Sequence, residues 1–366
     1  MGKRWSPKKA NEWYAQMGWL RGCNFLPSNC KGFLDMFQSY QSDEHLACAD
    51  AELALAASLG YNSIRFLLNF NVWRLEHDHL LKQFDAYLSL CKKHGMTAMV
   101  MLGCDCCVPK TKLYTPPALG EQRVDWGWHG GTKHSAFEDR KEVGHHLLDI
   151  PEFRELYYAF IREIITIHKE DPRICVWDLY NEPGNSNRDE ITLPHLQKFF
   201  EIAREIDPIQ PLTACLWRWD DAQFETPSPC AQFCLDNADI ITYHNYENLE
   251  KNVRIIRFLR SFGRPVMNTE WMARPLGSTV FDLFPLFYLE NVSCFNWGLV
   301  AGKAQYFECW NNIWDRYEAG VDENIDFRLW FHDLFRPSHR PYDPKETALI
   351  RRICDLAKED KASKSR

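Results

Sequence analysis

Residues 176–183 read VWDLYNEP: an apolar run that ends abruptly at Asn181-Glu182 and is stopped by Pro183. Val176, Trp177, Leu179 and Tyr180 are good strand formers, and the near-continuous apolar run suits a strand covered on both faces of a parallel sheet. A carboxyl group at the C-terminal end of such a strand can point into an opening without lying in the core. The same plan recurs downstream. Residues 264–274 read RPVMNTEWMAR, a short apolar run that ends at Glu270 and Trp271. Each Glu alone could be an ordinary loop carboxyl or a helix cap. What matters is whether one fold brings the two strand ends together.

Working outward from these two segments, β-rich runs recur at 20–25, 63–68, 97–102, 175–180, 212–217, 240–246, 265–269 and 293–300. Between them lie amphipathic stretches at 43–59, 80–94, 152–168, 193–206 and 249–262, three of them closed by Gly60, Gly95 and Gly263. Glycine just past a helix is the expected left-handed cap. Strands alternating with helices give a parallel α/β fold, and eight strands predict closure into a (β/α)8 barrel. The competing open, doubly wound sheet would carry a glycine-rich phosphate loop after its first strand. The chain after Phe25 reads LPSNCKGF and lacks that pattern. In a closed eight-stranded barrel the fourth and seventh strands face each other across the mouth, so Glu182 and Glu270 are expected to meet there.

The 366 residues suffice for two domains, but α/β barrels use this much chain for one. We expect one barrel domain over 1–355 and a charged, frayed tail over 356–366. Two connections are long, 104–150 and 302–340. The first holds Trp126, Trp128, His129, His134, His145 and His146, and the second is rich in Trp, Phe and Tyr. Both follow a strand and so belong to the face where barrel sites sit. The formal net charge of -7 argues against a nucleic-acid partner, which needs a basic face. No run approaches the ~18 apolar residues of a membrane span, and residues 1–16 contain no apolar core of a signal peptide. Many of the 14 cysteines sit inside apolar segments, where a thiol behaves as a small hydrophobe, so a reduced, cytoplasmic protein is expected. The acceptor triplet Asn291-Val292-Ser293 leads straight into a strand and is discounted.

Two acids across one opening suit glycoside hydrolysis. One must give a proton to the departing oxygen, and the other must be ionised to attack the anomeric carbon. A neighbouring negative charge raises the first, and hydrogen-bond donors keep the second ionised. Asn181 is a donor beside Glu182. Arg65, in NSIRFLL, is a candidate to hold Glu270 ionised, with a rim ion pair as the alternative role. Cys104, Cys106 and Cys107, near Asp105, invite a metal reading, but no second cysteine pair follows at the spacing of a structural zinc site. We expect no metal and no cofactor.

From RGCNF at the first strand to FNWG at the eighth, these residues resemble clan A glycoside hydrolases, most closely family 5. The resemblance implies that Glu182 is the acid/base and Glu270 the nucleophile of a retaining double displacement. It matches His244 and Tyr246, in ITYHNYEN, to the strand-six His-x-Tyr, Arg65 to the strand-two arginine, and Trp297 to the tryptophan under the reacting sugar. Trp217, Trp271, Trp219 and Trp310 are further subsite candidates, each with core packing as the alternative. One position departs. Where the family places a histidine after strand three, this chain reads MLGCDCC, and Asp105, His129 or His134 is expected to take over a sugar hydroxyl. The implied partner is an oligosaccharide or glycoside with β linkages, attacked from its end.

Overall fold

The computed structural model describes residues 2–106, 118–124 and 143–364. Eight strands, β1 (Arg21–Asn24), β2 (Ser63–Leu67), β3 (Thr97–Met101), β4 (Ile174–Asp178), β5 (Leu212–Thr213), β6 (Ile241–His244), β7 (Val266–Trp271) and β8 (Ser293–Trp297), follow one another around a single parallel sheet. The expected (β/α)8 barrel is present. β1 pairs with both β2 and β8. Between β5 and β6 the ring closes through few bonds: the Asp239 N–H donates to the Leu212 carbonyl (2.8 Å), Leu216 to Thr242 (2.9 Å) and His244 to Leu216 (2.7 Å). β5 is shorter than the 212–217 read from sequence because the chain leaves the ladder after Thr213 and returns only at the Leu216–Tyr243 bridge.

Side chains alternate across each strand. Ile64, Phe66, Ala98, Val100, Trp177, Ile241 and Tyr243 face the helices in the main core. Met99, Val176, Met267 and Phe295 point inward and pack with Trp5, Ala10 and Tyr14. The helix Pro7–Met17 therefore plugs the bottom of the barrel. Ser6 caps it by accepting from the Lys9 N–H, and Pro7 opens its first turn. The sequence reading placed no element there. Above this apolar layer the inward positions turn polar, and Asn24, Arg65, Asp178 and His244 are all buried. A polar layer below the mouth is what positions the site.

The expected fraying after 355 is not what the structure has. Pro344–Lys364 is one helix, packed against the helix Val280–Leu289. Ile350, Ile353 and Cys354 are buried, and the Tyr288 hydroxyl donates to Asp360 at 2.5 Å, which anchors the segment that composition alone made look loose. The cysteines of the described residues form no disulfide. No helix among these residues is long and apolar enough to cross a membrane.

β1 and β2 approach so closely that a Cβ on Gly22 would lie 1.7 Å from the Ser63 carbonyl oxygen. That neighbour is backbone and cannot swing away. Gly22→Ala is expected to destabilise the barrel by about 3 kcal/mol or more, as overpacking does when the strands must part. Urea unfolding followed by circular dichroism checks this, with a midpoint equal to wild type as the contrary result.

Candidate active site

Glu182 stands in the turn after β4. The ladder continues past the strand through a parallel bridge between Cys104 and Asn181, and Glu182 itself adopts a left-handed backbone (φ 46°). Glu270 is in β7, where the register slips: Tyr243 pairs with Asn268, but His244 pairs with Glu270. The extra residue is a β-bulge, and it inverts the inside–outside alternation. Met267 is inward and Asn268 outward, where its amide donates to Asn252. Beyond the bulge Glu270 turns inward and Trp271 outward. Trp271 is 1% exposed and packs on Phe284 and Phe287, so the expected sugar contact is corrected to a core role.

The two carboxylates meet. Oxygens of Glu182 and Glu270 and a ring nitrogen of His244 all lie within 4.8 Å of one another. His244 Nδ1 is 2.8 Å from Glu182 Oε1 and 3.3 Å from Glu270 Oε2. Both neighbours are acceptors, so Nδ1 carries a proton. Arg65 is fully buried and ties the layer together. Its Nη1 donates to Glu270 Oε1 (2.8 Å) and Asn24 Oδ1 (2.7 Å), and its Nη2 donates to Asp178 Oδ2 (2.7 Å) and Asn181 Oδ1 (2.6 Å). Asn181 thus accepts from Arg65 rather than donating to the acid. The Tyr246 hydroxyl donates to Glu270 Oε2 at 2.8 Å. Burial pushes that phenol well above its usual range, so it remains a donor.

The ionisation of the pair runs opposite to the simple expectation. Burial would raise Glu182, but the hydrogen bond and charge of His244, with help from Cys106 and Asn185, bring it down to about 2. Burial raises Glu270, and the Glu182 charge adds to this, while His244 and Arg65 oppose it. The geometry explains both directions: Glu182 accepts from three donors, and Glu270 shares its arginine with Asp178. The cluster of Glu182, His244 and Glu270 is close enough to hold a cation. Arg65 already supplies a fixed positive charge on Glu270, and we read the cluster as an acid pair.

A cavity of about 550 Å³ opens over the carboxylates. Trp297, Trp217, Trp219 and Trp310 line it, as the sequence suggested, together with Tyr246. The Trp297 ring sits edge-on to Tyr306 (5.4 Å), and its buried indole N–H has no partner among the described residues. Trp217 and Trp219 are held by N–H bonds to the Pro183 and His244 carbonyls. Asp105 is a correction. It is fully buried beneath the Glu182 turn and accepts from Tyr180, Gly184, Thr192 and Arg188, so it braces that turn and is turned away from any sugar. Cys107, His129 and His134 lie outside the described residues.

The sequence reading missed Asn185, which donates to Glu182 Oε2, and His332, whose Nδ1 hydrogen-bonds the Met272 carbonyl. His332 lies on the cavity wall against Trp310 and Tyr246. Asn185 could have been suspected from NEPGN, one turn beyond the acid. Nothing local marks His332, which comes from the long connection after β8.

No family model matches the chain. A β-glucuronidase of Paenibacillus borealis is 22% identical over 183 residues, a match covering 46% of this chain and 27% of that protein. Among solved structures, an exo-β-1,4-mannosidase from Opitutaceae bacterium strain TAV5 aligns with a TM-score of 0.58 at 16% identity, over 94% of this chain and 60% of its own. A family 5 mannosidase from Rhizomucor miehei aligns with a TM-score of 0.54 at 14% identity, over 94% of both chains. GH5_18 from Streptomyces cattleya, solved with GlcNAc, gives 0.59 at 14% identity, over 93% of this chain and 80% of its own. The fold is thus that of family 5 glycoside hydrolase barrels. This chain spans under two thirds of the glucuronidase and of the Opitutaceae mannosidase.

Because His244 is the main group holding Glu182 down, His244→Gln is expected to move the Glu182 carboxyl from about 2 toward its ordinary value of 4.5. A carboxyl depressed in the folded state stabilises it above the unfolded value, and that contribution is lost as pH falls toward the folded one. The variant should therefore lose less stability than wild type as the pH falls through 4.5 toward 2. Parallel acid-unfolding curves for the two proteins would rule out His244 as the cause.

Proposed function

We propose that this chain is a retaining O-glycoside hydrolase for β-linked oligosaccharides or glycosides, with Glu182 as acid/base and Glu270 as nucleophile. The observation that carries the reading is the approach of the two carboxylates to within 4.8 Å across the mouth of a barrel, at the ends of the fourth and seventh strands. Retaining glycosidases place their pair at ~5–5.5 Å, whereas inverting ones leave room for a water at roughly 6.5–9.5 Å. The family 5 fold of the neighbours supports the same assignment.

Glu270 attacks the anomeric carbon and forms the glycosyl ester. The Tyr246 hydroxyl and Arg65 orient its two oxygens one each. Glu182 must meanwhile deliver a proton to the departing oxygen, although its donors hold it ionised against burial. The structure offers a store for that proton. A proton reaches Glu182 Oε1 along its 2.8 Å contact with His244 Nδ1. Substrate favours the transfer because it displaces water from an already buried carboxyl, the effect that most raises Glu182. In the second step Glu182 takes a proton from water, the water oxygen attacks the ester carbon, and Glu270 leaves. The proton then returns to His244.

We assign the attack to chain ends. The connection after β8 supplies Tyr306, Trp310 and His332 to one wall of the cavity, which suits a pocket that accepts a terminal sugar. Trp297 would stack under that sugar. The aryl β-mannoside, β-glucoside and β-glucuronide are the first substrates to try, since the proteins similar to this chain are named for those sugars. The cysteines of the described residues form no disulfide, which supports a reducing, cytoplasmic setting.

On the aryl glycoside that the wild type turns over, Glu270→Gln should bind sugar and release no phenol. Glu182→Ala should lose about 10²–10⁴-fold, the share of a general acid, on a poor leaving group and far less on an activated one. Added azide should partly rescue Glu182→Ala and give a β-glycosyl azide. Full turnover by Glu270→Gln, or an inverted first product in the proton NMR spectrum, would remove the assignment.

A further inference from the structure

The thiols gathered behind Glu182 play no part in the reaction above. The bridge between Cys104 and Asn181 carries the β3 side of the ladder past its strand and sets Cys106 beside the acid. Cys106 Sγ is 3.2 Å from Glu182 Oε2, the oxygen that also accepts from Asn185. The Asn181 amide donates to Cys104 Sγ (3.3 Å) and Cys106 Sγ (3.8 Å). Cys215 Sγ accepts the Glu182 backbone N–H at 2.9 Å.

We infer that Cys106 is a positioning residue for the acid/base, its thiol fixing which oxygen of Glu182 is turned toward the breaking bond. This rests on the reading of Glu182 as acid/base. Asn181 and Asn185 donate to the Cys106 sulfur, and of the acceptors left to its S–H, Cys104 Sγ and Glu182 Oε2, the charged carboxylate is the stronger. Cys106 and Asn185 together satisfy Oε2. Oε1 is left as the oxygen that exchanges a proton with His244 and the leaving group.

The thiol must be neutral to donate. The hydrogen bond with Cys104, followed by burial, pushes Cys106 well above the usual thiol value. A thiol is also a weak donor. It orients the carboxyl without the added hold on the ionised form that a hydroxyl would exert, and an acid that must be re-protonated in each cycle requires that restraint. The groups facing Glu182 from other elements are His244 on β6, Glu270 on β7, and Tyr246 and Cys215 just past β6 and β5. Their contributions stay in place when Cys106 alone is changed. This contact sits where the chain departs from the family's histidine after strand three, and it accounts for the departure at the acid rather than at a sugar hydroxyl.

The test is a carbon-13 titration of the full chain labelled at the glutamate carboxyl, with the Glu182 signal identified by its loss in Glu182→Gln. Cys106→Ala should raise the Glu182 midpoint by about one pH unit. Cys106→Ser, whose hydroxyl is the stronger donor, should bring it below the wild-type value, and the basic limb of kcat/KM on the cleaved aryl glycoside should move with it. Three coincident titrations in folded proteins overturn the inference. If Cys106→Ala does not fold, the serine variant decides alone: a lower midpoint supports the contact and an unchanged one refutes it. Absence of aryl-glycoside turnover by the wild type counts against the hydrolase reading, not against the thiol contact, which the titration reads directly.

Discussion

The mouth of this barrel is organised around one buried guanidinium. Arg65 lies on β2, Asp178 on β4 and Glu270 on β7, and the arginine touches both acids with its side chain wholly out of water. Removing a charge from solvent costs several kcal/mol, which the pairing must offset. Here two carboxylates and two asparagine oxygens surround the cation. Burial raises Asp178, and the Arg65 charge opposes that rise. Loss of the arginine would leave two acids uncompensated at the centre of the fold. The site and the upper barrel are therefore one electrostatic unit.

Within that unit the two catalytic candidates are treated unequally. Glu270 shares its cation with Asp178, while Glu182 takes the nearer contact of His244 and accepts from an amide and a thiol as well. The strand-end geometry is similar, yet the donors bring Glu182 down while burial and the Glu182 charge keep Glu270 raised. An acid/base that rests ionised can still serve if its proton is kept one hydrogen bond away. The 2.8 Å contact between His244 and Glu182 is short enough for that arrangement.

Much of this was legible in the chain because barrel strands are strongly patterned. All eight runs read from sequence contain an observed strand or its larger part, and Glu182 and Glu270 stood out because each closed such a run. Trp271 was misplaced because a bulge has no reliable sequence signature, and one extra residue in β7 inverts which side chains face in. Asp105 was misplaced for a different reason. Its neighbours Thr192 and Arg188 are more than 80 residues away, and nothing nearby in the chain predicts four donors converging on it. His332 likewise comes from a connection whose path no periodicity describes. The strand-bound parts of the site follow local physics, and the loop-borne parts follow from contacts that exist only after folding.

The helix beneath the barrel has a consequence for how the molecule is made. Its Tyr14 hydroxyl bonds to Asn291 and Ser293, partners 277 and 279 residues downstream. On a ribosome, residues 7–17 are made more than 270 residues ahead of these partners and must wait for them before their docking surface exists. Until then Trp5, Trp13 and Tyr14 are exposed aromatic surface, a liability that a chaperone would be expected to cover. Contacts spanning so much sequence slow assembly. The helix thus docks only after strands made long after it are in place.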